Sequence, residues 1–216
     1  MGSRHDVTDD SVVELYERRA LDYDRDRSRG LQERSWLDAF LGHVRAAGTI
    51  LDLGCGMGEP IARHLLDRGH GVVGVDTSPT LIGLCRERMP EAEWIVADMR
   101  GIALGRRFDG ILAWDSFFHL SRDDQRDMFS CFAAHAQPGA PLMFTSGPSE
   151  GVVIGSYRGE PLHHASLDPA EYRQRLARHG YEVLAHRAED PACGGHTVWL
   201  AAFRPPGRQP PASRKT

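Results

Sequence analysis

The stretch Ile50-Leu51-Asp52-Leu53-Gly54-Cys55-Gly56-Met57-Gly58 decides the fold. Apolar residues around a single acid give way to glycines at alternate positions, and an amphipathic segment follows. This pattern reads as a buried strand entering a helix through a loop whose backbone can approach a ligand without Cβ clashes. The N–H groups at the helix start then face a negatively charged group. Glycine spacing narrows the ligand. A dinucleotide fingerprint needs G-x-G-x-x-G, but Glu59 stands three residues after Gly56, an acid where a pyrophosphate would approach, which disfavours NAD.

Moving outward, Gly71-Val72-Val73-Gly74-Val75-Asp76 reads as a second strand. It ends in an acid about 20 residues past the glycine loop, the separation expected of a ribose-hydroxyl acceptor, with Thr77 beside it. Trp94-Ile95-Val96-Ala97-Asp98-Met99 reads as a third, where Asp98 would accept from an adenine amino group and Met99 would lie against the ring. Further strands are expected at Gly110 to Ala113 and Leu142 to Thr145, apolar throughout as in a parallel sheet buried on both faces. Between them the pattern predicts helices over Pro60 to Arg68, over Pro79 to Arg88 behind Ser78, and over Arg122 to His135 behind Ser121. Asp168-Pro169-Ala170-Glu171 opens another, and Tyr181 to Arg187 with Thr197 to Phe203 reads as a closing antiparallel pair. Ser146 to Leu167 reads as irregular. Before the glycine loop, a helix is expected from Asp9 to Ala20, ending in the charged stretch Asp22 to Arg29, and a second from Leu31 to Ala46.

This ordered set resembles the class I S-adenosylmethionine-dependent methyltransferases, over roughly Tyr16 to Phe203. The resemblance implies an α/β, Rossmann-like sheet of seven strands in the order 3-2-1-4-5-7-6, mostly parallel with a closing antiparallel strand, and helices on both faces. It implies S-adenosyl-L-methionine as cofactor and S-adenosyl-L-homocysteine as product. Gly54, Cys55, Gly56 and Gly58 with Asp52 then correspond to the loop around the methionine part, Asp76 and Thr77 to the ribose contacts, and Asp98 and Met99 to the adenine contacts. The corresponding division of the chain is a helical lid over residues 1–48, a catalytic core over 49–203 and a disordered, Pro- and Arg-rich tail over 204–216.

The reacting end is expected in Trp114-Asp115-Ser116-Phe117-Phe118-His119, which follows the fourth strand. Methyl transfer is an in-line displacement that needs alignment, exclusion of water and sometimes a base. His119 is the candidate base, because an imidazole can take a proton near neutral pH. Trp114 and Asp115 are candidates for the cofactor, and Phe117 and Phe118 for the acceptor pocket. In the N-terminal helix, Tyr16 and Arg19 are expected to reach the methionine carboxylate. Tyr157, Arg158, His163, His164 and His196 are expected to contact the acceptor. No metal is expected, since adjacent histidines point different ways.

The 216 residues suit one α/β domain with a short appendage, and the formal charge of -4 gives no bias toward nucleic acid. Asp115-Ser116-Phe117-Phe118 also lacks the prolines of the D/N-P-P-Y/F/W segment found in amino-methylating nucleic-acid enzymes. No run approaches a membrane span and the opening residues lack a signal peptide's apolar stretch, so a cytoplasmic protein acting on a small molecule is expected. The four scattered cysteines argue against a zinc site or a disulfide framework. Two other readings remain: a nonmethylating enzyme that uses the same cofactor for cyclisation or elimination, and a noncatalytic cofactor-binding protein. The sequence does not speak to the acceptor's identity or to oligomeric state.

Overall fold

The structure, a computed structural model, describes residues 9–205. Most of the tail expected to be disordered, and the first eight residues of the expected lid, lie outside the described residues.

Five parallel strands form the body of the sheet: β1 (Thr49–Leu53), β2 (Gly71–Asp76), β3 (Glu93–Val96), β4 (Gly110–Ala113) and β5 (Pro141–Ser146). The chain then makes a two-stranded hairpin, β6 (Gly151–Tyr157) with β7 (Glu160–Ser166), and closes with β8 (Tyr181–Asp190) and β9 (His196–Phe203). β9 lies antiparallel to both β5 and β8. The sheet order is β3-β2-β1-β4-β5-β9-β8, which is the expected order once the separate hairpin is set aside.

Side chains alternate across this sheet and divide the core in two. Leu51, Leu53, Ile111, Phe144 and Trp199 face one side, with α6 (Arg122–His135) and α7 (Pro169–Arg178). Ile50, Val72, Leu112 and Met143 face the other, with α3 (Arg34–Leu41), α4 (Ile61–Asp67) and α5 (Pro79–Arg88). The expected caps form: Ser78 Oγ accepts from Leu81 N–H, Ser121 Oγ from Asp124 N–H, and Asp168 from Ala170 N–H.

Three expectations change. The charged stretch after Ala20 is not a helix end: α1 (Asp9–Arg18) is followed at once by α2 (Ala20–Asp26), whose acids are paired with arginines. α3 is shorter than Leu31 to Ala46, because the chain tightens after Leu41 into i→i+3 bonds from His43 N–H and Val44 N–H. The region expected to be irregular is the β6–β7 hairpin. Its two-residue turn, Arg158 (φ 51°) and Gly159 (φ 82°), has the left-handed backbone whose twist matches antiparallel strands.

Candidate functional site

The carboxyl ends of β1, β2 and β4 converge under an open cleft of about 730 Å³, a volume that includes the space open to solvent. Its base is the glycine loop. Gly54, Gly56 and Gly58 all have positive φ (75°, 56° and 78°), but they serve different ends. A Cβ on Gly54 would stand 2.2 Å from Ser116 Cβ, and one on Gly58 2.4 Å from Met89 Cε, so these two glycines let the loop pack. Gly56 lines the cleft, where an added Cβ would approach only Tyr23, at 3.4 Å.

Asp76 closes β2 and ties the loop to the next helix. Its Oδ2 accepts from Gly56 N–H and its Oδ1 from Ser78 N–H, each at 2.9 Å. Burial raises its pKa, and the N–H donors from Ser78 and Gly56 work against that rise. Val75, Leu81, Ala97, Met99 and Leu120 make the walls beside it apolar, with Asp98 at the end of the slot. Asp98 is already engaged within its own loop, by the backbone N–H and guanidinium of Arg100.

A smaller cleft continues past Gly54, Tyr23 and Asp115, lined by Asp52, Cys55, Glu59, Arg27 and Trp114. Burial, then the charge on Asp76, raises Asp52 to about 7. Asp115 has an unusual φ of 50° and is held by three contacts. Its N–H donates to Thr145 Oγ1, its Oδ1 lies 2.9 Å from His196 Nε2, and its Oδ2 lies 3.9 Å from Arg27. The contact to Asp115 raises the pKa of His196.

This set fits an adenosyl amino acid. An acid stands where hydroxyls would bind, an apolar slot where a flat ring would lie, and carboxylates with Arg27 where a zwitterion would sit.

Helices α1 and α2 roof the cleft with Val12, Val13, Tyr16 and Tyr23. Glu17 anchors them to the start of α5, accepting from the Ser78 hydroxyl and, at 2.6 Å, from the Thr80 hydroxyl. Those hydroxyls outweigh the cost of burial and leave Glu17 with a lowered pKa. Tyr16 lies edge-on to Tyr23 and stacks on Tyr157 of the hairpin. Its hydroxyl meets His119 Nε2 at 3.2 Å, while His119 Nδ1 lies 2.9 Å from the His163 carbonyl. Burial lowers the pKa of His119 to about 4.

Tyr16, Gly54, Gly56, Asp76, Thr77, Asp98, Met99, Asp115 and His119 thus share the main cleft. Asp52, Cys55, Gly58 and Trp114 line the smaller one, Trp114 from a nearly full burial in the core. Several expected positions are corrected. Arg19 points away from the cleft and pairs with Glu160 at 2.7 Å, because the hairpin offers it a carboxylate outside. Phe117 is fully buried among Phe129, Phe132, Phe144 and Tyr172, on the sheet side of its 3-10 turn (Phe117–His119), and is core rather than pocket. Arg158 clamps Asp26 at 2.7 Å, and the Tyr157 hydroxyl donates to the same carboxylate, so both hold the roof. His163 is buried and donates from Nδ1 to the His119 carbonyl. Phe118 meets the His119 ring edge-on and His164 lies tilted against it, while His196 is paired with Asp115. Both nitrogens of His119, the expected base, are engaged.

Sequence reasoning missed Tyr23 and Arg27. Tyr23 had a signal, since it lies two helical turns from Tyr16; Arg27, one of seven arginines between residues 18 and 45, had none. Among the described residues no three His, Cys, Asp or Glu side chains are grouped to hold a metal ion, and no helix is long and apolar enough to cross a membrane.

The sequence profile of a methyltransferase domain matches residues 50–139. Among curated proteins, the chain is 36% identical over 98 residues to a dTDP-3-amino-3,6-dideoxy-alpha-D-glucopyranose N,N-dimethyltransferase of Streptomyces fradiae, covering 44% of this chain and 38% of that one. It is 41% identical over 134 residues to a trans-aconitate 2-methyltransferase of Azoarcus sp. (strain BH72), covering 61% and 49%. Among solved structures, the complex of DhpI with S-adenosyl-L-homocysteine superposes with a TM-score of 0.71 at 21% identity, over 92% of this chain and 98% of that one. The chain spans half or less of the length of these two curated relatives.

Proposed function

We propose that this chain, whose core is a class I methyltransferase domain, binds S-adenosyl-L-methionine in the main cleft and passes its methyl group to a small-molecule nucleophile. The observation that carries this reading is Asp76. A buried carboxylate at the end of β2 joins the glycine loop to α5 and faces an apolar slot, an arrangement suited to paired ribose hydroxyls. The cofactor supplies a methyl carbon made electrophilic by sulfonium. The chain's own residues bind, orient and enclose: the loop and Asp76 hold the nucleoside, Asp52 and Arg27 meet the amino-acid end, and the tyrosines of α1 and α2 exclude water. The lid in this reading is α1 and α2, which roof the cleft and are anchored to both α5 and the hairpin, rather than the whole of the expected segment up to residue 48, since α3 packs in the core of the sheet.

The nucleophile in this reading is a hydroxyl, amine or carbon of a small molecule. Support comes from the curated relatives, which act on a nucleotide-linked amino sugar and on a small acid. A cytoplasmic location belongs to the same proposal, and four free cysteines suit a reducing compartment. The test is calorimetric titration with S-adenosyl-L-homocysteine. Wild type is expected to bind at low micromolar concentration, and Asp76→Ala to lose at least about 100-fold, the size of two lost hydrogen bonds to a charged group. Absence of binding by wild type at millimolar ligand overturns the reading.

A further inference from the structure

We propose that Tyr16 recognises the methyl acceptor, and that its oxygen, with its proton committed to His119, takes an N–H from an amine nucleophile. The inference rests on reading the cleft as the site of methyl transfer.

The polarity of the contact follows from the chain of partners. A carbonyl oxygen only accepts, so His119 Nδ1, 2.9 Å from the His163 carbonyl, carries a hydrogen. In a neutral imidazole Nε2 then has a lone pair and no hydrogen. The hydrogen in its 3.2 Å contact with Tyr16 must therefore come from the phenol. Burial keeps the ring neutral by pushing His119 down to about 4, and it pushes the Tyr16 phenol upward, so that neither group exchanges its role near neutral pH. Tyr23 and Tyr157 pack on the Tyr16 ring at 5.2 and 6.4 Å and fix its direction. The result is a hydroxyl in the cleft wall that accepts hydrogen bonds and has no hydrogen left to donate.

Such a group welcomes a nucleophile carrying N–H or O–H and gives nothing to a tertiary amine or a carboxylate. The choice between N–H and O–H comes from the bases. An alcohol must lose its proton as it attacks, and each candidate base lining the main cleft already has a partner, while Asp52 lies in the smaller cleft, at the amino-acid end in this reading. Asp76 holds two N–H groups, Asp98 holds Arg100, Asp115 faces His196, and His119 holds Tyr16. A neutral amine attacks with its own lone pair. The pair forms the N–C bond, the electrons of the breaking S–C bond stay on sulfur, and the surplus ammonium proton leaves to solvent. His119 is then a positioning residue acting through Tyr16.

Two measurements test this. First, 15N NMR of histidine-labelled protein with S-adenosyl-L-homocysteine should show His119 protonated at Nδ1 and bare at Nε2 at pH 7; the opposite tautomer overturns the proposal. Second, S-adenosyl-L-homocysteine release is followed with benzylamine, N-methylbenzylamine, N,N-dimethylbenzylamine and benzyl alcohol as probes. Turnover is expected for the primary and secondary amines and not for the other two. Tyr16→Phe should cut kcat/KM for benzylamine about tenfold or more. His119→Ala should raise KM for benzylamine more than it lowers kcat. No turnover of either amine, equal turnover of the tertiary amine or the alcohol, or full activity in Tyr16→Phe overturns the inference. Failure of wild type to bind S-adenosyl-L-homocysteine instead overturns the reading of the cleft on which it rests.

Discussion

Beneath the cleft, Gly54 and Gly58 sit where an added Cβ would stand 2.2 Å from Ser116 and 2.4 Å from Met89. Above it, α1 and α2 are seated by two small apolar clusters, Val12 and Leu15 with Leu162 and Ala20 with Met57 and Leu81, and by ion pairs at their margins: Arg18 and Arg19 to Glu160, Arg158 to Asp26, Arg88 to Asp24. The floor is fixed by close packing, which has no partly displaced state of low energy. The roof rests on smaller clusters and on ion pairs that water and salt can replace, so it can part from the floor at lower cost than the floor can deform. A ligand enclosed on both sides needs such a difference, because one wall must hold its shape while the other lets the ligand pass.

The sharpest way to break this comparison is to add one carbon to the floor. Gly54→Ala forces a left-handed backbone on alanine and drives its Cβ into Ser116, at a cost of about 3–5 kcal/mol. S-adenosyl-L-homocysteine binding should be lost with it. Gly69→Ala is the control: φ is similar at 82°, but nothing lies within 4 Å of the new Cβ, so only about 1–2 kcal/mol is expected. Denaturant unfolding of the two variants separates packing from backbone strain. Equal losses would mean that the loop does not depend on close approach.

The same contrast explains what the sequence disclosed. The floor was legible because its requirements are local: glycines mark φ and close approach, Asp76 and Asp98 follow apolar strands, and Ser78 and Ser121 announce their helices. The roof was not, since its contacts depend on partners far along the chain. Nothing near Arg19 indicates that Glu160, 141 residues away, will turn it from the cleft. The hairpin escaped for a related reason. Val152, Val153 and Ile154 are all exposed, so no alternation marks β6, and Arg158 takes a left-handed turn position where asparagine or aspartate is the usual signal. Phe117 was misplaced because an aromatic residue beside the site can face either the pocket or the sheet, and only the direction of the 3-10 turn decides.

A second prediction concerns charge buried in the floor. Asp52 has a folded pKa of about 7 against the ordinary aspartate value of 3.8, so the folded state holds the extra proton between about pH 4 and 7. Its contribution to stability therefore falls as pH rises through that window. His119 works the other way. With a folded pKa of about 4 against 6.5, it makes the unfolded state the better proton binder, and stability is lost as pH falls from about 6.5 toward 4. The two trends oppose each other below pH 6.5. Asp52→Asn should remove one, raising stability at pH 8 by on the order of 2 kcal/mol and exposing a steeper loss in acid. Thermal unfolding from pH 4 to 8 measures both. A parallel offset of the two curves at all pH values would show that Asp52 is not protonated in the folded state.

The smallest expected effect on stability falls on the roof, and here the kinetics carry the comparison. Arg158 is 41% exposed and Glu160 27%, and pairs of this kind add little to global stability. The double variant Arg158→Ala, Glu160→Ala should leave Tm within about 2 °C of wild type. The pairs still set how long the roof stays down. The same variant should release S-adenosyl-L-homocysteine several-fold faster with little change in association. Wild type at about 0.5 M salt should move toward the variant's rate, because the screening length there is shorter than at physiological salt. Stopped-flow dissociation at two salt concentrations makes the test. A release rate insensitive to both the substitutions and salt would assign the roof's closure to Tyr16, Tyr23 and Tyr157 packing together, and floor and roof would then be held by the same kind of contact.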